Sequence, residues 1–358
     1  MRPKSYLLIL TITMLSFAMS ACLPFSLAKT RKTDSKSSDK KTKTEKSSNP
    51  GEPKTLNVDK NTDYINAMGK ETPEIPEFDE LSAKPGKVRG YVKDINGNPL
   101  KGAQLGVRST AVGGAYSGSQ GETDDDGYYE FEVPMGVAHF YNAGYAIEWG
   151  DDSLAAIGLH PVDGKLDSFA SNVGGVENFV LLPYGITSRE NVQQSPHLAS
   201  SYYGGSVYIH YYTVSADDNY PSEGSLVEGS VIEITLTPEG EMYGGIMVPK
   251  SFTIRKTISF RGGFYINNLP LGNYRIAVKT DKGKRLKMEL NKPQNSEFGI
   301  KPSETTDSAV LTFAPSDARA NMVTPQYGGW NTVEINVTQV DSKTNKPTVN
   351  KETENEEE

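Results

Sequence analysis

Short segments in which apolar and polar residues alternate, separated by turns, constrain this chain more than any other feature. Residues 128–133 place Tyr129, Phe131 and Val133 on one face and two glutamates on the other, a period-2 pattern typical of a half-buried strand. The Asn-Gly pair at 96–97 suits the positive φ of a hairpin turn. Similar segments recur between glycine-rich and proline-rich turns, and the 34 Gly and 21 Pro agree with many such turns. We therefore predict an all-β chain built from antiparallel β-sandwiches.

The first sandwich is predicted at residues 86–184. Its turns and strands share a long ordered pattern of glycines, acidic turn residues and apolar positions. The positions are Gly90-Tyr91-Val92, Asp94, Gly97, Pro99-Leu100, Gly102-Ala103, Val107, Thr123-Asp124, Gly127, Tyr129, Phe131, Val133-Pro134 and Gly136. This pattern resembles the carboxypeptidase regulatory-like domain, a transthyretin-like β-sandwich. The resemblance implies a non-catalytic binding or spacer module on a secreted or surface protein.

An internal repeat predicts a second sandwich at residues 202–340, after a linker at 185–201. Residues 263–272 align without a gap onto residues 127–136, sharing glycine, aromatic, tyrosine, aliphatic, proline and glycine positions. A repeat of this size indicates two tandem domains rather than one large fold. The start of the second copy lacks the turn pattern of the first, so its membership of the same family is left open.

The N-terminus has the organisation of an export signal at residues 1–21. Two basic residues precede a short apolar run, and small residues then lead to Cys22. The segment Met19-Ser20-Ala21-Cys22 resembles the lipobox of bacterial lipoproteins, which implies acylation of Cys22 and cleavage before it. Several acyl chains would give a stable membrane anchor. An ordinary cleaved signal with an incidental cysteine is the alternative.

Polar tails are predicted on both sides of the sandwiches. Residues 22–85 are rich in Lys, Ser, Thr and Pro and have little to bury, so we predict a disordered tether. Its basic part could contact anionic lipid or wall polymers, although a plain spacer explains the same composition. Residues 341–358 end in glutamates and are predicted to be an acidic, solvated tail.

Charge and motif content exclude several functions. The net charge of −8 is opposite to that of a general nucleic-acid binder. A single cysteine excludes an intramolecular disulfide and a cysteine-based zinc site. The nearest approach to a zinc-peptidase motif, His160-Pro161-Val162-Asp163, lacks the required glutamate, and no nucleophile elbow occurs. We predict a protein that is not an enzyme and carries no cofactor.

Two clusters are candidate binding sites. Tyr141, Tyr145, Trp149, Asp151 and Asp152 combine aromatic rings with carboxylates, which suits sugar stacking or a protein partner if the rings are exposed together in a loop. A core position is the alternative for each ring, and for Trp149 especially.

The run Asp124-Asp125-Asp126 is a weak candidate for calcium, which prefers several carboxylate oxygens. A polar β-turn, in which Asp124 caps the backbone and Gly127 takes a positive φ, is the favoured interpretation.

The leading hypothesis is a lipid-anchored, non-catalytic surface protein whose sandwiches bind a protein or carbohydrate partner, or act as spacers. The membrane would be the cell membrane of a Gram-positive host or the outer membrane of a Gram-negative one. Alternatives are a carbohydrate- or cell-wall-binding lipoprotein, and a hydrolase with an unrecognised site in the long loops, which mutation of His160 or Asp163 would test. A pilin-like sandwich with an internal Lys–Asn crosslink is a further alternative, which intact mass would test.

Overall fold

The computed structural model describes residues 51–340, apart from 112, 216–222, 261 and 292–296. This part of the chain is mostly β-strand, with one short α-helix and three single-turn 3-10 helices. Within it, no helix is long and apolar enough to cross a membrane.

Several predictions concern residues outside this part of the chain: the signal at 1–21, Cys22, the first half of the tether up to residue 50, and the tail at 341–358.

The strands are numbered in chain order. The first twelve are β1 (Lys54–Val58), β2 (Tyr64–Asn66), β3 (Lys87–Asp94), β4 (Gln104–Thr110), β5 (Tyr116–Glu122), β6 (Tyr128–Glu132), β7 (Val137–Trp149), β8 (Ser153–Gly158), β9 (His160–Pro161), β10 (Phe169–Ala170), β11 (Gly175–Val176) and β12 (Phe179–Leu181). The next seven are β13 (Gly205–His210), β14 (Thr213–Val214), β15 (Leu226–Val227), β16 (Val231–Glu239), β17 (Phe252–Thr257), β18 (Gly263–Leu269) and β19 (Asn273–Thr280). The last seven are β20 (Leu286–Leu290), β21 (Gly299–Lys301), β22 (Glu304–Thr305), β23 (Ser308–Thr312), β24 (Ala314–Pro315), β25 (Trp330–Asn331) and β26 (Val333–Gln339). The helices are α1 (Arg189–Gln194) and the 3-10 turns Ala199–Ser201, Tyr243–Gly245 and Ala320–Met322.

Two sheets form the first sandwich. One has the order β10-β7-β4-β5, with β8 also paired to β7, and the other has the order β11-β3-β12-β9, with β6 also paired to β3. The sheets meet face to face where the rings of Phe140 on β7 and Phe179 on β12 pack edge-on, with centroids 5.2 Å apart. Alternate residues of β3 are buried, as the period-2 pattern predicts.

The second sandwich consists of two six-stranded sheets. Their orders are β1-β17-β16-β19-β23-β21 and β2-β18-β13-β26-β20-β22. The prediction of an all-β fold with two sandwiches is confirmed. The sheets are mainly antiparallel, but some pairs, including β3 with β12 and β13 with β26, run parallel.

The internal repeat is visible in the strand pairings. In the first sandwich β3 pairs antiparallel with β6 and parallel with β12, while β4 pairs antiparallel with β5 and β7. In the second, β13 pairs in the same way with β18 and β26, and β16 with β17 and β19. The two sandwiches therefore share one topology, with β5 and β6 equivalent to β17 and β18.

The aligned tyrosines of the repeat face opposite sides of their sheets. Tyr129 is 1% exposed in the core, whereas the ring of Tyr265 packs on Tyr208 outside the core. A bulge explains the difference, because the pairing of β13 with β18 shifts around Ser206 and Asn268 adopts a φ of 61°. One extra residue in a strand exchanges its two faces.

Residues 54–66 correct the predicted tether. Instead of being disordered, they form β1 and β2, which pair in parallel with β17 and β18 at the edges of the second sandwich. Leu56 and Val58 of β1 are 3% and 2% exposed within the core. The Nζ of buried Lys256 donates hydrogen bonds to the carbonyl oxygens of Asp59 and Thr62, at 2.6 and 2.7 Å, in the connection between β1 and β2. We call residues 54–68 the N-terminal strap.

Residues 75–84 of the predicted tether lie along the first sandwich. Ile75 and Phe78 pack against a small cluster formed by Val180, Leu182 and Tyr203. The predicted linker at 185–201 is also ordered, because it contains helix α1, whose first turn is capped by a preceding serine. The chain thus begins the second sandwich, builds the whole first sandwich, and then returns to complete the second.

The two sandwiches contact each other through buried groups. The ring of Trp149 packs on that of Trp330 at 4.8 Å, and its Nε1 donates a hydrogen bond to the carbonyl of Phe313 at 2.9 Å. The side-chain amide of Asn142 donates to the carbonyls of Ala320 and Val323, at 2.9 and 2.8 Å. Apart from the small cluster at Val180, Leu182 and Tyr203, most buried apolar residues of both sandwiches belong to one continuous cluster.

Candidate binding surfaces

The structure does not bring the five predicted aromatic and acidic residues together. Residues 141–149 belong to the long strand β7 rather than to a loop, and β7 is followed by a tight turn into β8. Trp149 lies between the sandwiches and is 9% exposed, so its ring offers no free face for a sugar. The core alternative therefore holds for this residue. Tyr145 is partly buried against the core.

Asp151 and Asp152 lie in the turn between β7 and β8. The carboxylate of Glu297 accepts hydrogen bonds from the backbone N–H of Asp151 and from the hydroxyl of Ser153. These contacts lower the pKa of Glu297 below its usual value. The two aspartates thus belong to an exposed turn held by a glutamate from the second sandwich.

The three aspartates at 124–126 form the predicted turn. The Oδ1 of Asp124 accepts hydrogen bonds from the backbone N–H groups of Asp126 and Tyr128, at 3.0 and 2.9 Å. Asp125 forms an exposed ion pair with Lys101 at 2.7 Å. Among the residues that the structure describes, no group of three or more His, Cys, Asp or Glu is placed to hold a metal ion.

Tyr141 contributes to a different surface on the outer face of the first sandwich. The guanidinium of Arg108 lies over the rings of Tyr116 and Tyr141, at 5.9 and 5.0 Å from their centroids. The Nε2 of Gln120 donates a hydrogen bond to the hydroxyl of Tyr141 at 2.6 Å. Tyr116 is 70% exposed, so this arginine–tyrosine face is open to solvent. Tyrosine and arginine are the residue types that often dominate protein–protein binding energy.

A second polar and aromatic surface lies on the outer face of the second sandwich. The ring of Tyr208 packs at 4.3 Å against both Tyr265 and His210. Beside them, Glu334 accepts hydrogen bonds from the side chain of Asn291 at 2.8 Å and contacts the Nε2 of His210 at 3.1 Å. The alignment of the repeat pairs Tyr265 with Tyr129, which lies in the core, and therefore gives no sign of this group.

A cleft of about 990 Å³ lies where the first sandwich, helix α1 and a loop of the second sandwich meet. Its lining includes His160, Asp163, Arg189 and Tyr327. Burial lowers the pKa of His160 to about 4, and its Nδ1 contacts the hydroxyl of buried Tyr203 at 3.1 Å. Such an imidazole is neutral at pH 7, but its partner is a core tyrosine rather than a nucleophile.

Near this cleft, Glu177 has an unusual environment. Burial, followed by the negative charges of Asp163 and Asp167, raises its pKa to about 8. Its backbone carbonyl accepts a hydrogen bond from the hydroxyl of Tyr129 at 2.7 Å. Glu177 therefore lies just before β12, where the chain packs against the buried ring of Tyr129.

No protein-family model and no curated protein matches the chain. Among solved structures, the chain is similar to the Bacillus anthracis TIE protein, with 11% identity and a TM-score of 0.26 over 71% of this chain. It spans only 33% of that protein. The Streptococcal ancillary pilin shares 16% identity over 70% of this chain and 61% of its own, with a TM-score of 0.20.

The major pilin of Streptococcus pyogenes serotype GAS13637 shares 9% identity over 72% of this chain and 98% of its own, with a TM-score of 0.24. TM-scores this low do not define a shared fold, so the fold assignment rests on the strand pairings described above.

Proposed function

We propose that this chain is a lipid-anchored, non-catalytic protein that displays two β-sandwiches on the extracytoplasmic side of a bacterial membrane. The observation that carries the proposal is the lipobox-like segment ending at Cys22, the only cysteine of the chain. Acylation of this residue would hold the protein in the cell membrane or the outer membrane. The sandwiches then act as binding modules for an envelope protein, or as spacers.

Contacts at two glycines support assigning the first sandwich to the carboxypeptidase regulatory-like class. A Cβ at Gly90 would lie 1.7 Å from the carbonyl oxygen of Glu177, and one at Gly127, where φ is 69°, would lie 2.5 Å from that of Val92. Both glycines belong to the sequence pattern that resembles this family. At these two positions of the pattern a side chain therefore has no room.

Metabolic labelling with an alkyne-tagged palmitate tests the anchor. We expect label on the wild-type chain, recovered in the membrane fraction, and none on Cys22→Ala, whose export is monitored by its accessibility to protease added to protoplasts or spheroplasts. A Cys22→Ala chain that is labelled, or a wild-type chain that is exported but soluble and unlabelled, would disprove the proposal. Surface proteolysis of intact cells then reports which face of the membrane carries the sandwiches.

Carbohydrate binding is the second candidate function, and the surface formed by Tyr208, Tyr265 and Glu334 favours it. Tyrosine rings beside a carboxylate and an amide offer stacking together with hydrogen bonds to hydroxyl groups. A glycan array probed with wild type and Tyr265→Ala tests it, with exposed Tyr212→Ala as the matched control. Binding that survives in Tyr265→Ala, or that is lost equally in the control, would argue against this surface.

A further inference from the structure

The two sandwiches differ at one pair of equivalent edges. In the second sandwich, β1 and β2 of the N-terminal strap extend the sheets beyond β17 and β18. The equivalent strands of the first sandwich are β5 and β6, and no strand of the described residues pairs with their outer edges. The edge at β17 and β18 of the second sandwich is therefore occupied by the strap, whereas the equivalent edge at β5 and β6 of the first sandwich is open.

The first sandwich does not need such a segment to close its core. The ring of Phe131 packs on Gly121, where a Cβ would lie 2.4 Å from the ring. In the second sandwich the position equivalent to Gly121 is Lys256, which holds the strap instead. Because the first sandwich fills its own interior, its open edge remains available for an exchangeable partner.

The backbone of β5 presents hydrogen-bonding groups at this edge. Hydrogen bonds join the pairs Ala111–Ala115 and Ala103–Thr123, so odd-numbered residues of β5 point their N–H groups at β4. The N–H groups of Gly118 and Gln120 consequently point away from the sheet. An exposed row of such groups is a template for pairing with another strand.

The charge beside this edge indicates what kind of segment fits. Arg108 lies directly opposite Gly118 in the register of β4 and β5, so no side chain separates its guanidinium from the edge. Its neighbours are the rings of Tyr116 and Tyr141, and it forms no ion pair with a carboxylate of the described residues. A carboxylate on an added strand opposite Gly118 would complement this cation.

We propose that the outer edge of β5 binds an extended acidic segment of a partner protein by strand addition, with a Glu or Asp side chain of the partner contacting Arg108. Main-chain hydrogen bonds to Gly118 and Gln120 supply affinity, and the arginine–tyrosine face supplies specificity. The added strand runs parallel to β5, as β1 runs parallel to β17. This inference rests on the proposed binding role and specifies its partner. The lipid anchor is tested separately, by the labelling experiment.

A synthetic peptide derived from the strap provides the probe. It copies residues 52–60 with Thr55→Glu and Asn57→Glu, the two exposed positions of β1, and carries an N-terminal fluorophore. The matched control peptide carries Thr55→Lys and Asn57→Lys. Anisotropy with the purified full-length chain in detergent should show tighter binding of the acidic peptide.

Variants of the chain then locate the site. Arg108→Glu should lower the affinity for the acidic peptide by about tenfold or more and raise the affinity for the basic peptide. Gln120→Pro removes an outward N–H and should weaken both peptides. Arg285→Glu, which reverses an exposed arginine paired with Asp307, is the control and should leave both affinities unchanged. Equal melting temperatures exclude misfolding as the cause.

Several outcomes would overturn the proposal. Equal binding of acidic and basic peptides, or full binding by Gln120→Pro, removes the β5 edge as the site. Loss of amide protection in β1 on adding the peptide shows displacement of the strap in the second sandwich instead. Dimerisation that Gln120→Pro abolishes makes a second copy the occupant. Binding seen only after deletion of residues 341–358 makes the chain's own acidic tail the occupant.

Discussion

At the scale of single residues, a buried cation fastens the N-terminal strap to the second sandwich. Lys256 is 1% exposed, and its Nζ reaches two carbonyls of the turn between β1 and β2. A buried ammonium is tolerated only where such acceptors surround it. An inward-pointing lysine at this edge also disfavours pairing with an unrelated strand, which cannot satisfy it.

We expect Lys256→Met to lower the free energy of unfolding by about 1–3 kcal/mol, because the carbonyls of Asp59 and Thr62 lose the ammonium group that ties them to β17. Urea unfolding followed by tyrosine and tryptophan fluorescence measures the change. Lys279→Met removes a half-exposed lysine paired with Glu233 and should shift stability by no more than about 0.5 kcal/mol. Equal effects of the two substitutions would show that the strap contacts contribute nothing.

Gly90→Ala should destabilise the first sandwich by about 1–3 kcal/mol or more, because its Cβ would overlap a backbone oxygen that cannot move aside. Gly118→Ala is the matched control, since its Cβ meets only an ordinary contact at 3.6 Å. Thermal melting of both variants measures the difference. A Gly90→Ala chain as stable as the wild type would contradict the close approach of β3 to residue 177.

Glu177 should make stability depend on pH. Its pKa rises from 4.5 in the unfolded chain to about 8 in the folded one. The folded state therefore binds the extra proton, and the stability linked to this group is lost as pH rises from about 4.5 through 8. Glu177→Gln should abolish that loss, so the advantage of the variant grows towards pH 8. Glu132→Gln, on the exposed side of β6, is the control. Its curve of unfolding free energy against pH should run parallel to that of the wild type.

At the scale of elements, the sequence predicts strands well where burial alternates along one segment. Period-2 patterns and turn residues locate the segments around β3 and β6, and the repeat locates β18. They miss the strap, because Lys54–Val58 carries only two apolar residues and owes its structure to strands about 200 positions away. Local propensity does not report such long-range pairing.

The candidate surfaces are harder to predict than the fold. Alternation shows that one face of a strand is buried but not whether a neighbouring domain covers the other. Trp149 is therefore a candidate for ligand binding on sequence alone, although Trp330 of the second sandwich covers it. The repeat aligns Tyr265 with the core residue Tyr129. The bulge at Asn268, which turns Tyr265 to the other face, leaves no clear sequence signal. Asp124, in contrast, has local turn partners, and its hydrogen bonds to the backbone of Asp126 and Tyr128 are those that a polar turn predicts.

We expect the strap to protect the backbone amides at the edges of the second sandwich from hydrogen exchange. Leu56→Ala removes a side chain that is 3% exposed and should cost about 2–5 kcal/mol. Hydrogen exchange measured by mass spectrometry should show a larger increase of the exchange rate in β1, β2 and β17 than in β3 and β12, whose amides respond only through global unfolding. Thr55→Ala, at an exposed position of the same strand, is the control. Uniformly faster exchange across both sandwiches would show that the strap is not a separate element.

At the scale of the whole molecule, chain path and packing join the two sandwiches into one cooperative unit. The first sandwich is inserted between the strap and the remaining strands of the second, so separating them requires breaking contacts on both sides of the insertion. Trp149, Trp330 and Asn142 bury the contact between them. A core cluster shared by both sandwiches couples their unfolding.

Calorimetry of the full-length chain should therefore show one unfolding transition. Trp149→Ala removes the ring that packs on Trp330 and the hydrogen bond to Phe313, which should cost about 3–5 kcal/mol and split the transition into two. Leu154→Ala, at a position on β8 that is 46% exposed, should lower the melting temperature little and keep a single transition. Two transitions already present in the wild type would mean that the sandwiches unfold independently. In that case, partner binding at the β5 edge would not stabilise the second sandwich, whereas a coupled unit transmits that stabilisation to the strap.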